Sequence, residues 1–222
     1  EDWYTDSDGL PKPAKDASSS FWDCGNVNYF GKHIMTTQND ETALGQGSSV
    51  KMETQETMKI IAAGNIFTGT FERDGMGGIL TLGRNFECRP NKLKGYYKYT
   101  SAKVSVSKGH LNEGEDDLCS LYIALTDEQI TVNTNKGIYF DPNSSAVIAY
   151  GSISDEESKG ADSFKEFTVD LEYKDLKRIP KYIIVVASSS KYGDYMEGGK
   201  GSTMWLDDLE LVYPKSMEEV RK

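Results

Sequence analysis

The sequence predicts an all-β fold built as a sandwich of two sheets, and three observations carry that prediction. Runs of alternating apolar and polar residues recur along the chain. Turn signals separate them at intervals of about ten residues. No long stretch repeats its apolar residues at the helical period. Roughly ten strands at such spacing suit a β-sandwich.

Taken in order, strands are expected near 28–36, 49–54 and 57–62, then at Phe67-Thr68-Gly69-Thr70-Phe71-Glu72 and near 79–83. In Leu93-Lys94-Gly95-Tyr96-Tyr97-Lys98-Tyr99 one side holds Leu93, Tyr97 and Tyr99, and the other holds Lys94, Tyr96 and Lys98. Further strands are expected near 102–108, 118–126 and 145–151. Glu166 to Tyr173 alternates at period two, with Phe167, Val169, Leu171 and Tyr173 on its apolar face. Tyr182-Ile183-Ile184-Val185-Val186-Ala187 is a continuous apolar run. The last strand is read from Trp205 to Tyr213, with Trp205, Asp207, Leu209 and Leu211 on one face. Trp205 is thereby assigned to the core, and Asp207 becomes a carboxylate turned toward it, which is costly unless compensated. Asp74-Gly75, Gly77-Gly78, Arg89-Pro90-Asn91, Asn135-Lys136-Gly137 and Asp141-Pro142-Asn143 supply turns. Only 216–222 reads as a short helix or a frayed tail. The 222 residues are read as one domain, 1–222, with a core at about 20–213 and a short tail at 214–222.

Charge narrows the partners. With 25 basic and 35 acidic residues the net charge is −10, which repels phosphate backbones and anionic membrane surfaces. The longest purely apolar run, about six residues, falls far short of a membrane span. The chain begins at Glu1 without a leader and reads as mature or trimmed. Cys24, Cys88 and Cys119 form no CxxC pair, so a zinc site is not indicated and at most one disulfide can form, its pairing left open. Cys119 reads as a small core residue.

The motifs of nucleotide, zinc-protease and serine-hydrolase chemistry are absent, and His33 reads as structural. A glycosidase needs only two carboxylates. Asp23, Glu72, Glu87 and Asp194 are conceivable members of such a pair. A sugar-binding face needs aromatic platforms beside polar side chains. Tyr96, which shares its face with Lys94 and Lys98, fits that need, as do Tyr192 and Tyr195 in a glycine-rich loop and Trp22 in Phe21-Trp22-Asp23. The candidate ligand-binding set is Trp22, Tyr96, Lys98, Tyr192 and Tyr195. For a structural calcium, Asp207 is the leading ligand, and Glu1 or Asp2 could supply a second if the termini lie side by side. The acidic loop 113–117 lacks calcium-loop spacing and is expected to be solvated.

Several segments taken together carry a resemblance: Ala62-Ala63-Gly64-Asn65-Ile66-Phe67-Thr68-Gly69, Gly83-Arg84-Asn85-Phe86, Arg89-Pro90, Leu93 to Tyr99, Val147-Ile148-Ala149-Tyr150-Gly151, Ala187 to Tyr195, and Leu206-Asp207-Asp208. Over about 20–213 the chain resembles the putative carbohydrate metabolism domain of exported Bacteroides-type lipoproteins. The resemblance implies a jelly-roll sandwich akin to carbohydrate-binding modules and galactose-binding-like domains. It also implies export to the periplasm or cell surface, with a lipid anchor upstream of residue 1. In related sugar-binding sandwiches a Trp-hydrophobic-Asp strand helps hold calcium, which here maps onto Trp205-Leu206-Asp207. The function expected is non-catalytic glycan binding in a polysaccharide-handling system. A glycoside hydrolase and a protein-binding lipoprotein domain are the alternatives.

Overall fold

The computed structural model describes residues 2–29 and 31–214. Glu1 and the segment 216–222 lie outside the described residues, so the metal role given to Glu1 and the terminal helix have no structural account.

Among the described residues, twelve strands form the main paths of two sheets: β1 (Thr36–Asn39), β2 (Ser49–Glu53), β3 (Asn65–Asp74), β4 (Gly77–Leu82), β5 (Lys92–Thr100), β6 (Ser120–Thr126), β7 (Ile130–Asn133), β8 (Val147–Ser152), β9 (Ala161–Asp170), β10 (Glu172–Tyr173), β11 (Tyr182–Ser188) and β12 (Thr203–Val212). The short strands Trp22–Asp23 and Arg84–Asn85 add to the larger of the two. The larger sheet runs β7-β4-β3-β11-β6-β8-β10, and the smaller runs β9-β5-β12-β2-β1. Their pairings are antiparallel. This is the jelly-roll β-sandwich the sequence predicts. No helix among the described residues is long and apolar enough to cross a membrane.

The main core lies between the sheets. The smaller sheet contributes Val50, Met52, Leu93, Tyr97, Phe167 and Met204, and the larger contributes Leu121, Ile123, Leu125, Ile183, Val185 and Ala187. Fully burying each large apolar side chain stabilises the fold by about 1.5–3 kcal/mol. Cys119 belongs to this core, and burial pushes its thiol up to about 12. The three cysteines are free.

A second apolar layer, with Phe67, Leu80, Ala124 and Ile184 buried and Tyr122, Phe140 and Tyr150 half-buried, covers the other face of the larger sheet. It explains the unbroken apolar run in β11. That strand lies centrally, between β3 and β6, and buries both its faces.

The strand read over 166–173 is divided between the sheets, Ala161–Asp170 in the smaller and Glu172–Tyr173 in the larger, and that near 28–36 is a short hairpin of Val27–Asn28 with Lys32–His33. Three further local features depart from the sequence reading. The stretch 57–62 is half of a hairpin, because Met58 and Lys59 take φ of 50° and 64° and turn the chain between Gln55–Thr57 and Ile60–Ala62. The stretch 102–108 makes only isolated bridges, Lys103 to Asp116 and Val106 to Gly198. The third is a bulge in β12. The register against β5 shifts between Lys94↔Glu210 and Tyr96↔Asp207, and Asp208 takes φ of 48°. The extra residue inverts the alternation. Met204 and Leu206 face the core before the bulge, and Leu209 and Leu211 pack toward it afterwards. Gly95 lies opposite the bulge, where a Cβ would come 2.8 Å from Leu209 Cδ2 and 3.0 Å from the Asp207 carbonyl oxygen. Trp205 and Asp207 therefore face outward, and assigning Trp205 to the core is corrected.

Candidate functional site

The turn Gly193–Tyr195 sets the geometry of the site. It is a single 3₁₀ turn ended by Met196 at φ 58°. It sits so close to the chain after β2 that a Cβ on Gly193 would approach Ala63 Cβ to 2.4 Å. Behind the turn lies Glu197, with none of its surface exposed. Its carboxylate accepts hydrogen bonds from the backbone N–H groups of Lys108 (2.8 Å), His110 (3.2 Å) and Leu111 (2.5 Å), and bonds His110 Nδ1 at 3.0 Å. Desolvation pushes the Glu197 carboxyl up, but these bonds outweigh it and hold the group below the usual range.

His110, so fixed, props up two aromatic rings. Tyr192 stacks on it at 4.4 Å between centroids and Tyr195 lies against it at 4.3 Å. Tyr139 stacks in turn on Tyr195 at 3.9 Å. Tyr122, Phe140 and Tyr150 form a second cluster on the sheet itself, with Tyr122 and Phe140 stacked at 4.9 Å. Between the two clusters lies a hollow of about 400 Å³ on the outer face of the larger sheet, with Lys191, Asp155 and Asp194 in its walls. Lys191 Nζ pairs with Asp155 Oδ1 at 3.0 Å, and that hydrogen bond and charge hold Asp155 below the usual carboxylate range.

Asp194 differs from Asp155, the other acid of the hollow. Its carboxylate makes no hydrogen bond or ion pair among the described residues, and burial raises its pKa to about 6. Asp117, by contrast, is buried and fully engaged. It accepts from Ser190 Oγ (2.6 Å) and from the N–H groups of Gly199 and Leu118 (2.8 Å each). Desolvation nonetheless raises its pKa. The expectation that 113–117 is solvated fails at Asp117, which clamps the 190s loop to the strand ends.

The predicted site residues separate into groups. Tyr192 and Tyr195 come together in the hollow. Tyr96 and Lys98 lie on the outer face of the smaller sheet, where Lys98 pairs with Glu41 and holds its ammonium 3.9 Å from the Trp205 ring centroid. Trp22 packs at the edge of the inter-sheet core, with its backbone paired to Thr68. Of the four acids named for a catalytic pair, only Asp194 lines the hollow. Asp23 is tied to Lys12 at 2.8 Å and to the Phe71 N–H. Tyr122, Tyr139, Phe140, Tyr150 and His110 were not singled out from sequence. The available signals were tyrosines interrupting the apolar alternation at 122 and 150, and an aromatic pair beside the Asp141-Pro142 turn.

For calcium, the oxygens of Asp207 already accept N–H groups, Oδ2 from Ala43 at 2.8 Å and Oδ1 from Asp208 at 3.0 Å. No group of three or more His, Cys, Asp or Glu side chains among the described residues could hold a metal ion. The donor set around Asp207 is thus that of a hydrogen-bonded carboxylate.

Comparison with known proteins places the chain. Residues 2–212 match the putative carbohydrate metabolism domain family, and the chain belongs to it. Among solved structures it is similar to a putative glycoside hydrolase from Bacteroides thetaiotaomicron VPI-5482. That match has 26% identity and a TM-score of 0.66 over 82% of this chain and 58% of the other, so the chain spans little more than half of that relative. A putative glycoside hydrolase from Bacteroides vulgatus ATCC 8482 shares the fold at 22% identity, with a TM-score of 0.70 over 95% of this chain and 89% of the other. No curated protein matches.

Proposed function

We propose that the protein binds glycan without cleaving it, in the aromatic hollow on the outer face of the larger sheet. The observation that carries this reading is the pairing of stacked tyrosines with a polar wall. Tyr192 and Tyr195 rest on His110, Tyr139 stacks on Tyr195, and the three present ring surface beside Lys191, Asp155 and Asp194. Aromatic faces pack on the C–H faces of sugar rings, and flanking charged groups bond the hydroxyls. Membership of a carbohydrate-related family supports the same chemistry. Export to the periplasm or cell surface is part of the proposal, because a polysaccharide too large to enter the cell is met there.

One observation favours a second reading, glycoside hydrolysis. Asp194 keeps its proton up to about pH 6 while Asp155, in the same hollow, is held ionised by Lys191. Environments that push two carboxyls apart in this way assign acid and base roles. Affinity electrophoresis against xylan, arabinan, galactan, glucomannan, pectin and starch, with reducing-sugar release followed in parallel, separates the readings. Retardation without release is the expected result. Release abolished by Asp194→Asn replaces binding with hydrolysis, and silence across the panel contradicts both.

A further inference from the structure

The aromatic hollow is one end of a longer feature. A narrow hollow of about 50 Å³ adjoins it and shares Ser120, Tyr122, Lys191 and Asp194 with it. A third, of about 120 Å³, shares Asn65, Leu80 and Asp194 with the second. Asp194 lines all three. Their walls come from β4, β3, β11, β6 and β8, which lie side by side in that order. Neighbouring strands lie about 4.8 Å apart, so the groove crosses the sheet for about 19 Å. That is the length of several sugar rings in an extended chain and far more than one needs.

Both ends open to solvent. Ser152 and Asp155 are exposed at the aromatic end, and Arg73, Gly75 and Met76 are exposed at the other. A pocket for a chain terminus would be walled off at one end. The far end also offers ring surface, from Phe71 and from Tyr29, over which the Arg73 guanidinium lies at 4.5 Å. Carbon faces, polar groups set among them at Asn65, Ser120, Lys191 and Asp194, and two open ends together fit a chain that enters at one side and leaves at the other.

Resting on the glycan reading above, we infer that the groove holds an internal stretch of an extended glycan chain, several sugar rings long, with Asp194 beneath its middle. Sugar bound only in the aromatic hollow would leave the far part of this surface unused. That far part, around Phe71 and Arg73, is then a set of additional subsites that short fragments do not reach.

The test uses the polysaccharide retained in the panel and its own partial-hydrolysis fragments sorted by length, titrated calorimetrically into the whole chain. Affinity is expected to rise about tenfold or more from disaccharide to hexasaccharide. Arg73→Ala, at an exposed position, is expected to weaken the hexasaccharide several-fold and leave the disaccharide unchanged. Phe71→Ala, checked for an unchanged circular-dichroism spectrum, should do the same. A disaccharide that binds as tightly as the hexasaccharide overturns the inference while leaving glycan binding in place, and so does a hexasaccharide affinity that neither variant changes. If the panel retains nothing, the glycan reading fails and this inference fails with it.

Discussion

Asp194 and Glu197 stand three residues apart in one loop, and desolvation pushes both carboxyls up, but hydrogen bonds reverse the outcome at Glu197 alone. Glu197 is withdrawn completely and receives three backbone N–H groups and a histidine ring, so its charge is stabilised and its pKa falls. Asp194 lines the groove with no hydrogen-bond or ion-pair partner among the described residues, and its pKa rises to about 6. A buried carboxylate with saturated oxygens holds a structure together, whereas one left bare where a ligand can reach it is available for chemistry. The outer faces of the two sheets repeat the contrast. On the smaller sheet Lys98 is spent on Glu41 and on the face of the Trp205 ring. On the larger, the tyrosines stack among themselves and still line an open groove.

The largest effect is expected at Glu197. Glu197→Ala strands the N–H groups of Lys108, His110 and Leu111 and should destabilise the fold by about 3–5 kcal/mol in urea denaturation. It should also abolish glycan retention, because His110 loses the bond that fixes it beneath Tyr192 and Tyr195. Tyr192→Ala should weaken glycan binding roughly tenfold to a hundredfold, about 1.4–2.8 kcal/mol, with little change in stability.

Asp194→Asn should sharpen the contrast between the acids. The raised pKa means the folded state keeps a proton that the unfolded chain releases, so this group leaves stability intact below its ordinary pKa of 3.8. Stability then declines through about pH 6 and stays lower above it. Asn removes that slope, and at pH 8 the melting temperature should rise by about 2–4 °C for each kcal/mol relieved. Glu197 has the opposite slope, since its lowered pKa contributes stability above its ordinary 4.5 that is lost as pH falls. The smallest effect is expected from Tyr96→Ala, which should leave binding unchanged and stability within about 1 kcal/mol.

The fold was legible because its signal is local. Alternation at 93–99 and 166–170 and the apolar run at 182–187 each report burial directly, and the structure places them in β5, β9 and β11. The site was half legible. The glycine-rich loop at 188–201 pointed to Tyr192 and Tyr195, but their partners come from distant strands and loops. No periodicity brings His110 beside Glu197, or Tyr139 beside Tyr195. The bulge at Asp208 shows the same limit, since one extra residue turned Trp205 and Asp207 to the opposite face, with little in the sequence beyond Gly95 to mark it.

On the proposed reading the aromatic groove, and not the face bearing Tyr96 and Lys98, meets the glycan. That reading is tested most directly by running the wild-type chain, Tyr192→Ala and Tyr96→Ala side by side in affinity gels cast with the polysaccharide panel. Retardation of the wild type and of Tyr96→Ala is expected, with Tyr192→Ala migrating freely. Free migration of Tyr96→Ala with full retardation of Tyr192→Ala would contradict it and move the site to the smaller sheet.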